Sequence, residues 1–362
     1  MFRSVQSWTG TACIFCLYSI VTMGAGMTVI RPIIDRPGVC TYCGVVAEAF
    51  SEATESIDLL LANAELENNP LWGPLISACN RGVRVRVLLD ESDWAASINE
   101  KNGPTLDYLL GHGVEAAFDD PAVTTHAKMV VVDRTTVILG STNWNQYAFT
   151  DQEQANVCIV DGRVGGAFAD WFDGLWAHRG ETWEHGVAAV DVPKLHGPSI
   201  VLLPDEDGFS TYVSAVLPLL DSAGSSIHVA LYRMSVYMGF PDSTANELLD
   251  ALVRAARRGI DVRVLLDDCS FYADSAEANL ASALYLFEHG IPVRFDRPEE
   301  TTHAKLLVID GQNVILGSTN WNYYALERNV EASVALLGMT DVADVFDDYF
   351  EALWRAGRPI GP

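Results

Sequence analysis

The sequence predicts an α/β protein made of two tandem domains, each a mixed β-sheet flanked by helices. Segments with strand and helix patterns alternate along the chain, the order of these segments repeats, and one polar motif occurs twice, 177 positions apart. The 362 residues are enough for two domains of ordinary size, and the 49% hydrophobic content can fill two cores. We therefore expect a first domain over 28–180, a linker over 181–198 and a second domain over 199–362, packed about a pseudo-twofold axis.

Short β-branched runs and amphipathic stretches define the individual elements. In the first half they predict strands at 28–34, 56–61, 83–90 and 114–118, and helices at 45–54, 71–80 and 105–111. The second half has the same order, with strands at 199–203, 227–232 and 258–267 and helices at 212–220 and 245–257. Between the halves, 181–198 carries Gly, Pro and charge without periodicity, which is typical of a linker.

Residues 1–27 have the composition of a targeting segment. Arg3 is their only charged residue, an apolar run follows, and small residues surround Gly24. The segment is shorter and more polar than a usual membrane span. It predicts a protein that is exported to the extracellular side or anchored to a membrane by this segment, or alternatively a chain whose true first residue is Met27.

Seven cysteines include two Cys-x-x-Cys pairs, Cys13/Cys16 and Cys40/Cys43. The second pair either forms a disulfide after export or remains two thiols. A zinc site built from both pairs would require the apolar leader to be retained, and we do not expect one.

A motif rich in polar groups occurs once in each half, followed each time by Gly-Ser-x-Asn. The first copy supplies His126, Lys128, Asp133, Ser141 and Asn143, and the second supplies His303, Lys305, Asp310, Ser318 and Asn320. On a strand, residues two apart share a face, so each His is expected beside its Lys and each Ser beside its Asn, with the Asp pointing elsewhere. Imidazole, ammonium, hydroxyl and carboxamide groups together suit an anion with several oxygens.

The charge balance favours a local cationic site on an acidic surface. A formal net charge of -25 predicts long-range repulsion from nucleic acids and anionic membranes, but it leaves room for a positive pocket. The chain has only four lysines, and two of them, Lys128 and Lys305, lie in the repeated motif. We interpret this pair as part of a site rather than as solvated surface.

The doubled His-x-Lys-x4-Asp and Gly-Ser-x-Asn pattern resembles the phospholipase D superfamily over nearly the whole chain after the leader. The resemblance implies that one histidine attacks phosphorus to give a phosphohistidine, while the other protonates the leaving oxygen and later activates water. It also implies that no metal or other cofactor is required. Because both motif copies are in one chain, we expect a monomer that forms an intramolecular pseudo-dimer.

The resemblance also suggests roles for the motif residues. Following the family tendency, we expect His126 to be the nucleophile and His303 the general acid and base, although the near-identity of the copies leaves the reverse assignment open. The catalytic motif further includes Lys128 and Lys305, which with Asn143 and Asn320 should contact the phosphate. Ser141 and Ser318 bind the phosphate or brace the loop. Asp133 and Asp310 belong to the motif but are expected to stabilise it from behind.

A histidine-orienting carboxylate is expected shortly after each Gly-Ser-x-Asn, because family members usually carry Asn-x-Glu there. Asn329-Val-Glu331 fits this pattern in the second copy. The first copy has Gln154 at the aligned position, with Glu153 one step away. Either a one-residue shift brings Glu153 to a histidine, or the two histidines have unequal partners.

A phosphodiester is the expected substrate, and more than one class of molecule contains one. The main hypothesis is hydrolysis or transfer of a phosphatidyl group at a phospholipid, with a membrane surface as a possible partner. The alternative is a nuclease acting on DNA or RNA, which would need a basic track that this chain hardly offers. A different class, an inactive module that only binds phosphate, is disfavoured because both motifs are intact.

Overall fold

The structure is a computed structural model that describes residues 19–23, 26–93, 95–180, 198–269 and 271–360. Cys13, Cys16 and nearly all of the predicted linker, 181–197, lie outside the described residues. We call the part built by residues 19–180 the first lobe and the part built by 198–360 the second lobe. The domain boundaries given above remain predictions.

The first lobe alternates strands and helices as expected. Its elements are β1 (Ser19–Met23), β2 (Gly26–Asp35), α1 (Thr41–Glu52), β3 (Ser56–Leu61), α2 (Trp72–Asn80), β4 (Arg84–Leu89), α3 (Ala96–Gly111), β5 (Glu115–Phe118), β6 (Lys128–Val132), β7 (Thr136–Gly140), α4 (Gln146–Thr150), β8 (Gln152–Val160) and α5 (Gly162–Ala177).

The second lobe repeats this order. Its elements are β9 (Ser199–Asp205), α6 (Thr211–Ser222), β10 (Ser226–Leu231), α7 (Thr244–Arg257), β11 (Asp261–Leu266), α8 (Ala273–Glu288), β12 (Val293–Phe295), β13 (Thr301–Thr302), β14 (Lys305–Ile309), β15 (Asn313–Gly317), α9 (Tyr323–Glu327), β16 (Glu331–Leu337), α10 (Thr340–Ala356) and β17 (Arg358–Pro359).

Helix α3 begins nine residues earlier than the apolar pattern predicts. Its first half buries polar side chains, and Asn102 donates hydrogen bonds to the carbonyls of Ala62 and Asp90 at 3.0 and 2.8 Å. A buried polar side chain with its bonds satisfied packs as well as an apolar one. The apolar residues of this stretch therefore do not show the helical period, and the pattern predicts too late a start for the helix.

Each lobe has one mixed sheet, which confirms the predicted fold class. The strand order is β1-β2-β8-β7-β6-β3-β4-β5 in the first and β17-β12-β11-β10-β14-β15-β16-β9 in the second. Strands β3, β4 and β5 are parallel, whereas β6, which starts at the motif lysine, runs antiparallel to β3. The second lobe has the same arrangement around β10, β11, β12 and β14.

The two sheets share a hydrophobic core. Along β6, Met129 and Val131 point into the shared core, while Val130 and Val132 point into a core of the first lobe. Strand β14 alternates in the same way between the shared core and one under the helices of the second lobe. Side chains alternate across a strand, so each motif strand is buried on both faces and its polar ends are held in place.

Reciprocal contacts give the lobes a pseudo-twofold relationship. Strand β13 of the second lobe runs parallel to β8 of the first, with Thr302 opposite Glu153. The equivalent contact of the first lobe is a parallel bridge from Thr125 to Val330 of the second. A surface that contacts its own counterpart in this reciprocal way is the mark of twofold packing. The arrangement brings the end of each motif against a strand of the other lobe.

The predicted export or membrane anchoring through residues 1–27 is wrong. No helix among the described residues is long and apolar enough to cross a bilayer. Ser19–Met23, which we had assigned to that segment, form β1, paired antiparallel with β2 from Ser19 opposite Ile30 to Met23 opposite Gly26. The apolar run therefore ends, in its described part, as an edge strand of the first sheet, while 1–18 lie outside the described residues.

The Cys40/Cys43 pair forms a disulfide, with Cα atoms 5.4 Å apart. It lies at the start of α1, where the Cys40 sulfur also accepts a hydrogen bond from the backbone N–H of Cys43. Of the two alternatives that the sequence allowed, the structure contains the disulfide.

Candidate active site

Both motif histidines lie where the lobes meet. His126 and His303 lie two residues before the first residues of β6 and β14, and each donates a backbone hydrogen bond to the opposite lobe. The His126 N–H bonds the carbonyl of Val330 at 2.8 Å, and the His303 N–H bonds that of Glu153 at 2.9 Å. Each imidazole is therefore positioned by a strand 150 or more residues away in sequence.

Glu331 of the second lobe is the partner of His126. Its carboxylate oxygens lie 3.0 and 3.1 Å from Nδ1 of His126. The Glu331 side chain has no exposure, whereas the His126 side chain keeps 24%. Burial raises the pKa of Glu331, but His126 and Lys128 outweigh this and hold that pKa below its usual value. The ionised carboxylate keeps a proton on Nδ1 and leaves Nε2 of His126 as the reactive nitrogen.

His303 has neutral partners instead. Its Nδ1 lies 2.9 Å from the carbonyl oxygen of Ser141 and 3.3 Å from Oε1 of Gln154. A carbonyl oxygen only accepts, so Nδ1 of His303 carries a proton and its Nε2 is also free. Among the described residues, the Glu153 carboxylate forms no hydrogen bond with either imidazole. The two histidines therefore have unequal partners, and no one-residue shift brings Glu153 to a histidine.

Burial and neighbouring cations lower the pKa of both imidazoles. Burial lowers the pKa of His126, with Glu331 acting in the opposite direction. Burial also sets the pKa of His303 well below its usual value, and Lys305, Lys128 and His126 lower it further. These charges act on His303 because the two motifs share one site, as the sequence predicted.

The motif lysines are buried beside the histidines. Lys128 and Lys305 are 1% and 2% exposed. Lys128 donates to the carbonyl of His126, and Lys305 donates to that of His303 at 2.6 Å. Burial lowers the pKa of Lys128 to about 8 and that of Lys305 well below its usual value. An anion bound between them would raise both lysine pKa values, because it would supply an opposite charge inside the buried site.

The serines brace the site, and the asparagines keep free bonding capacity. Ser141 Oγ donates to Gln154 at 2.7 Å, and Ser318 Oγ donates to Glu331 at 2.5 Å. Both hydroxyls also accept from the backbone of the neighbouring strand, so they hold the orienting side chains in place. Asn143 and Asn320 each bury a side-chain oxygen without a hydrogen-bond partner among the described residues. These unpaired atoms are acceptors, so each can take a hydrogen bond from a donor such as a water or alcohol hydroxyl.

Asp133 and Asp310 are not brought to the pocket. They follow the far ends of β6 and β14, where Asp133 accepts bonds of 2.8 to 2.9 Å from the backbone of Thr54, Glu55 and Ser56. Asp310 does the same for residues 224–226. Their position agrees with the expectation that they stabilise the motif from behind.

A pair of buried carboxylates supports each histidine strand, and we had assigned these residues no role. Asp90 accepts from the N–H of Thr125 at 2.6 Å, next to His126. In the second lobe both Asp267 and Asp296 accept from the N–H of Thr302, at 2.7 and 2.9 Å. Burial, with repulsion from the paired carboxylate, raises the pKa of Asp90 to about 9 and that of Asp296 to about 8. The signal was present in the repeated Leu-Leu-Asp at 88–90 and 265–267.

Asp267, Asp268 and Asp296 bring ligand atoms within 4.8 Å of one another. Their oxygens are already used: Asp267 and Asp296 accept backbone bonds, and Asp268 pairs with Arg358 at 2.8 Å. The cluster therefore serves the fold.

Tyr232 makes the pocket asymmetric. Its ring lies 4.8 Å from the His303 ring and 4.9 Å from Lys305 Nζ, measured to the ring centroid. Its backbone N–H bonds the carbonyl of Ala304, just as that of Ala62 bonds Ala127 in the first lobe. An aromatic wall therefore stands over the second motif, where the first lobe has only a methyl group.

The family model described as "Cardiolipin synthase, PLD-like domain" matches residues 46–176 and 216–354, and so covers both motif copies. The chain belongs to the phospholipase D superfamily. Membership makes it an enzyme of the phosphodiester-cleaving type.

Among relatives in this superfamily, cardiolipin synthase A of Escherichia fergusonii is 24% identical over 377 residues, which cover 90% of this chain and 74% of the relative. The mitochondrial cardiolipin hydrolase of Xenopus laevis is 31% identical over 149 residues, 40% of this chain and 68% of that one. The structure of phosphatidylserine synthase from Haemophilus influenzae superposes with a TM-score of 0.70 at 12% identity, over 96% of this chain and 90% of that one. This last likeness concerns the fold.

Proposed function

We propose that this phospholipase D-type enzyme hydrolyses or transfers a phosphatidyl group through a covalent phosphohistidine on His126. The observation that carries the proposal is the unequal pairing of two otherwise equivalent imidazoles. His126 has an ionised carboxylate on Nδ1, and His303 has only a carbonyl and an amide.

A carboxylate on Nδ1 suits the nucleophile. When Nε2 of His126 bonds to phosphorus, the ring becomes a cation with a proton still on Nδ1. Glu331, buried and ionised, stabilises that developing charge at 3.0 Å. His303 has no such partner, so a permanent covalent cation there would be stabilised less.

His303 suits the proton transfers. A bound phosphodiester anion would oppose the charges of Lys128 and Lys305, which lower the pKa of His303 in the free protein. The pKa of His303 therefore rises on binding, and the ring enters the reaction protonated on Nε2.

The proposed reaction has two steps, formation of the phosphohistidine and its cleavage. Nε2 of His126 attacks phosphorus, the bond from phosphorus to the leaving alkoxide breaks, and His303 donates its Nε2 proton to that oxygen. Water or an alcohol then attacks the phosphohistidine, gives its proton to His303, and the P–N bond breaks. The buried lysines would donate to the non-bridging oxygens, and any bond from Asn143 or Asn320 to those oxygens would come from the amide N–H groups.

A lipid is the preferred substrate because both curated relatives named above act on, or make, cardiolipin. The net charge of -25 opposes the approach of a nucleic-acid backbone, which needs a basic surface beyond the pocket.

The test is release or exchange of headgroup from labelled phosphatidylglycerol and phosphatidylcholine, measured in parallel with degradation of single-stranded DNA and RNA. Chelator is present in one arm and absent in the other. We expect lipid turnover in both arms and no nucleic-acid degradation. Nucleic-acid degradation without lipid turnover would identify a nuclease, and binding of phosphate without turnover of either would identify an inactive module.

The roles of the histidines are separated by trapping. With a labelled phosphodiester and an alkaline denaturing quench, which preserves the acid-labile P–N bond, wild-type protein and His303→Ala should retain label on His126, whereas His126→Ala should retain none. Label on His303 in the His126→Ala variant would reverse the assignment and leave the reaction class unchanged.

A further inference from the structure

The loops of the second lobe on the same side as His303 carry a group of exposed apolar side chains, which we call the apolar rim. Its members follow the site-side ends of β10, β11 and β15 and are Met238, Phe240, Phe271, Tyr272, Tyr323 and Tyr324. Met238, Phe240 and Phe271 are 81%, 72% and 69% exposed. Side chains of this size at such exposure are costly to leave in water when they cluster.

Hydrogen bonds hold these loops next to the pocket. Asn279 donates to the carbonyls of Tyr232 and Asp267, each at 2.8 Å, and so joins the loops after β10 and β11. Tyr237 accepts from the N–H of Tyr323 at 3.0 Å, which joins the loop after β15. Since the Tyr232 ring contacts that of His303, the loops joined in this way lie beside the second motif.

The rim is fixed rather than a loose loop. Asn246 at the start of α7 donates to the carbonyls of Phe240 and Tyr237 at 2.9 and 3.0 Å. Ser282 of α8 accepts from the N–H of Val236 at 2.8 Å. The backbone is therefore satisfied while the side chains point outward, so their exposure is a property of the folded protein.

The matching edge of the first lobe is acidic. Parallel bridges from Ala64 to Trp144 and from Met234 to Trp321 occupy the same place in the two lobes, so the loop at Asn68 corresponds to the loop at Met238. Among the described residues, the loops of the first lobe carry Glu65, Glu67, Glu91 and Asp93, and although Glu65 pairs with Lys101 at 2.9 Å, the acidic groups outnumber this one cation. The entrance is therefore apolar on one side and negatively charged on the other.

Resting on the function proposed above, we propose that the apolar rim inserts into a lipid surface of low negative charge. The headgroup of a lipid in that surface then reaches the pocket while its acyl chains remain in the surface. Tyrosines that have an apolar body and a polar tip suit the boundary between lipid and water. The rim side chains are uncharged, and the acidic edge and overall charge oppose a strongly anionic surface.

Vesicle binding tests the inference apart from catalysis. In a His126→Ala background, sedimentation with phosphatidylcholine vesicles is compared for the unaltered rim and for Met238→Ser combined with Phe240→Ser. We expect partitioning to fall by about tenfold or more, because two large apolar side chains no longer leave water. Addition of phosphatidylglycerol to the vesicles should weaken binding of the unaltered rim at low salt.

Leu110→Ser is the matched control. Leu110 is 50% exposed in the last turn of α3, at the opposite edge of the first lobe, and its substitution should leave vesicle binding unchanged. In the active background, the rim variant should lose turnover of vesicles but keep turnover of a short-chain phospholipid below its micellar concentration. Equal thermal unfolding of all variants shows that folding is preserved.

The outcomes are distinct. Unchanged vesicle binding by the rim variant overturns the inference, whether or not the enzyme acts on lipids. A protein that turns over neither lipid form, yet binds vesicles through the rim, refutes the proposed function alone. A dimer by light scattering that becomes monomeric in the rim variant would make the rim an interface between two copies and would overturn the lipid assignment.

Discussion

Glu331→Gln isolates the feature that distinguishes the two histidines. The substitution keeps the size of the side chain and gives the second lobe the amide that Gln154 supplies in the first. Glu331 also accepts from Ser318 at 2.5 Å and from Asn329 at 3.0 Å, and an amide oxygen can keep one of these bonds. What is lost is the negative charge beside His126.

The size of the effect follows from the geometry. Two unit charges about 4 Å apart at an effective dielectric constant of about 20 interact by about 4 kcal/mol. The carboxylate oxygens lie 3.0 and 3.1 Å from Nδ1, and the charge of the imidazolium is spread over the ring. We therefore expect kcat to fall by about 10² to 10³, which corresponds to about 3 to 4 kcal/mol of transition-state stabilisation.

The pH profile should move in a defined direction. Burial lowers the pKa of His126 and Glu331 raises it, so loss of the charge lowers that pKa further. Because the nucleophile must be neutral, the acidic limb of kcat/KM should shift to lower pH in Glu331→Gln. The assay is headgroup release across pH, with phosphohistidine formation followed in a single turnover.

Two variants serve as comparisons. Glu153→Gln removes a carboxylate one residue from the aligned position, and since it has no bond to either imidazole the activity should stay within about threefold of wild type. Gln154→Glu places a charge beside His303 and should raise its pKa. Activity of Glu331→Gln within about threefold of wild type, with an unshifted acidic limb, would refute our reasoning on the nucleophile.

Three further predictions concern the supporting structure. Asp133→Asn should lower the free energy of unfolding by about 1 to 3 kcal/mol with little change in kcat, because Asp133 accepts backbone hydrogen bonds far from the pocket. Partial burial raises the pKa of Asp133 in the folded protein, but those hydrogen bonds outweigh it and lower that pKa below its usual value. The difference from wild type in urea unfolding should therefore be present above about pH 4 and should shrink as the pH falls through the folded pKa. Gly317→Ala should lower the free energy of unfolding by about 2 to 4 kcal/mol, since an added Cβ would lie 2.1 Å from Ser333 Oγ and 2.5 Å from the carbonyl oxygen of Ala332. The control Gly44→Ala, where an added Cβ would meet nothing within 4 Å, should be neutral or stabilising. A similar loss of stability in both variants would contradict the packing argument. Saturation with orthophosphate should raise the pKa of His303 by about one unit or more in an NMR titration, because the anion opposes the lysine charges that lower it, and an unmoved His303 would argue against a phosphate site between the lysines.

Much of the fold and most of the site could be predicted because their signals are local or repeated. Alternating apolar periods identified strands and helices, and buried motif strands such as β6 keep their β-branched character on both faces. The sequence did not predict the start of α3, because the buried positions there are polar. It did not predict β1 either, because an apolar edge strand has the same composition as a leader.

The carboxylate pairs behind the site were not predicted, although Asp90 and Asp267 end the predicted strands at 83–90 and 258–267. Asp90 and Asp119 are far apart in sequence and become neighbours only when β4 and β5 end at the same edge of the sheet. A buried acid at a strand end is not distinguishable by pattern from a solvated one, because the difference lies in what packs over it.

The amino-acid sequence by itself determined that this protein has two copies of one α/β unit. It also determined that each copy carries one histidine and one lysine of the same motif. Spacing along a strand fixes which side chains share a face, and that information is carried within about ten residues. Only the tertiary structure decided that Glu331 belongs to His126, 205 residues away, and that Gln154 and Ser141 belong to His303. That pairing depends on how two sheets pack across a shared core, and no local pattern encodes which lobe supplies the partner.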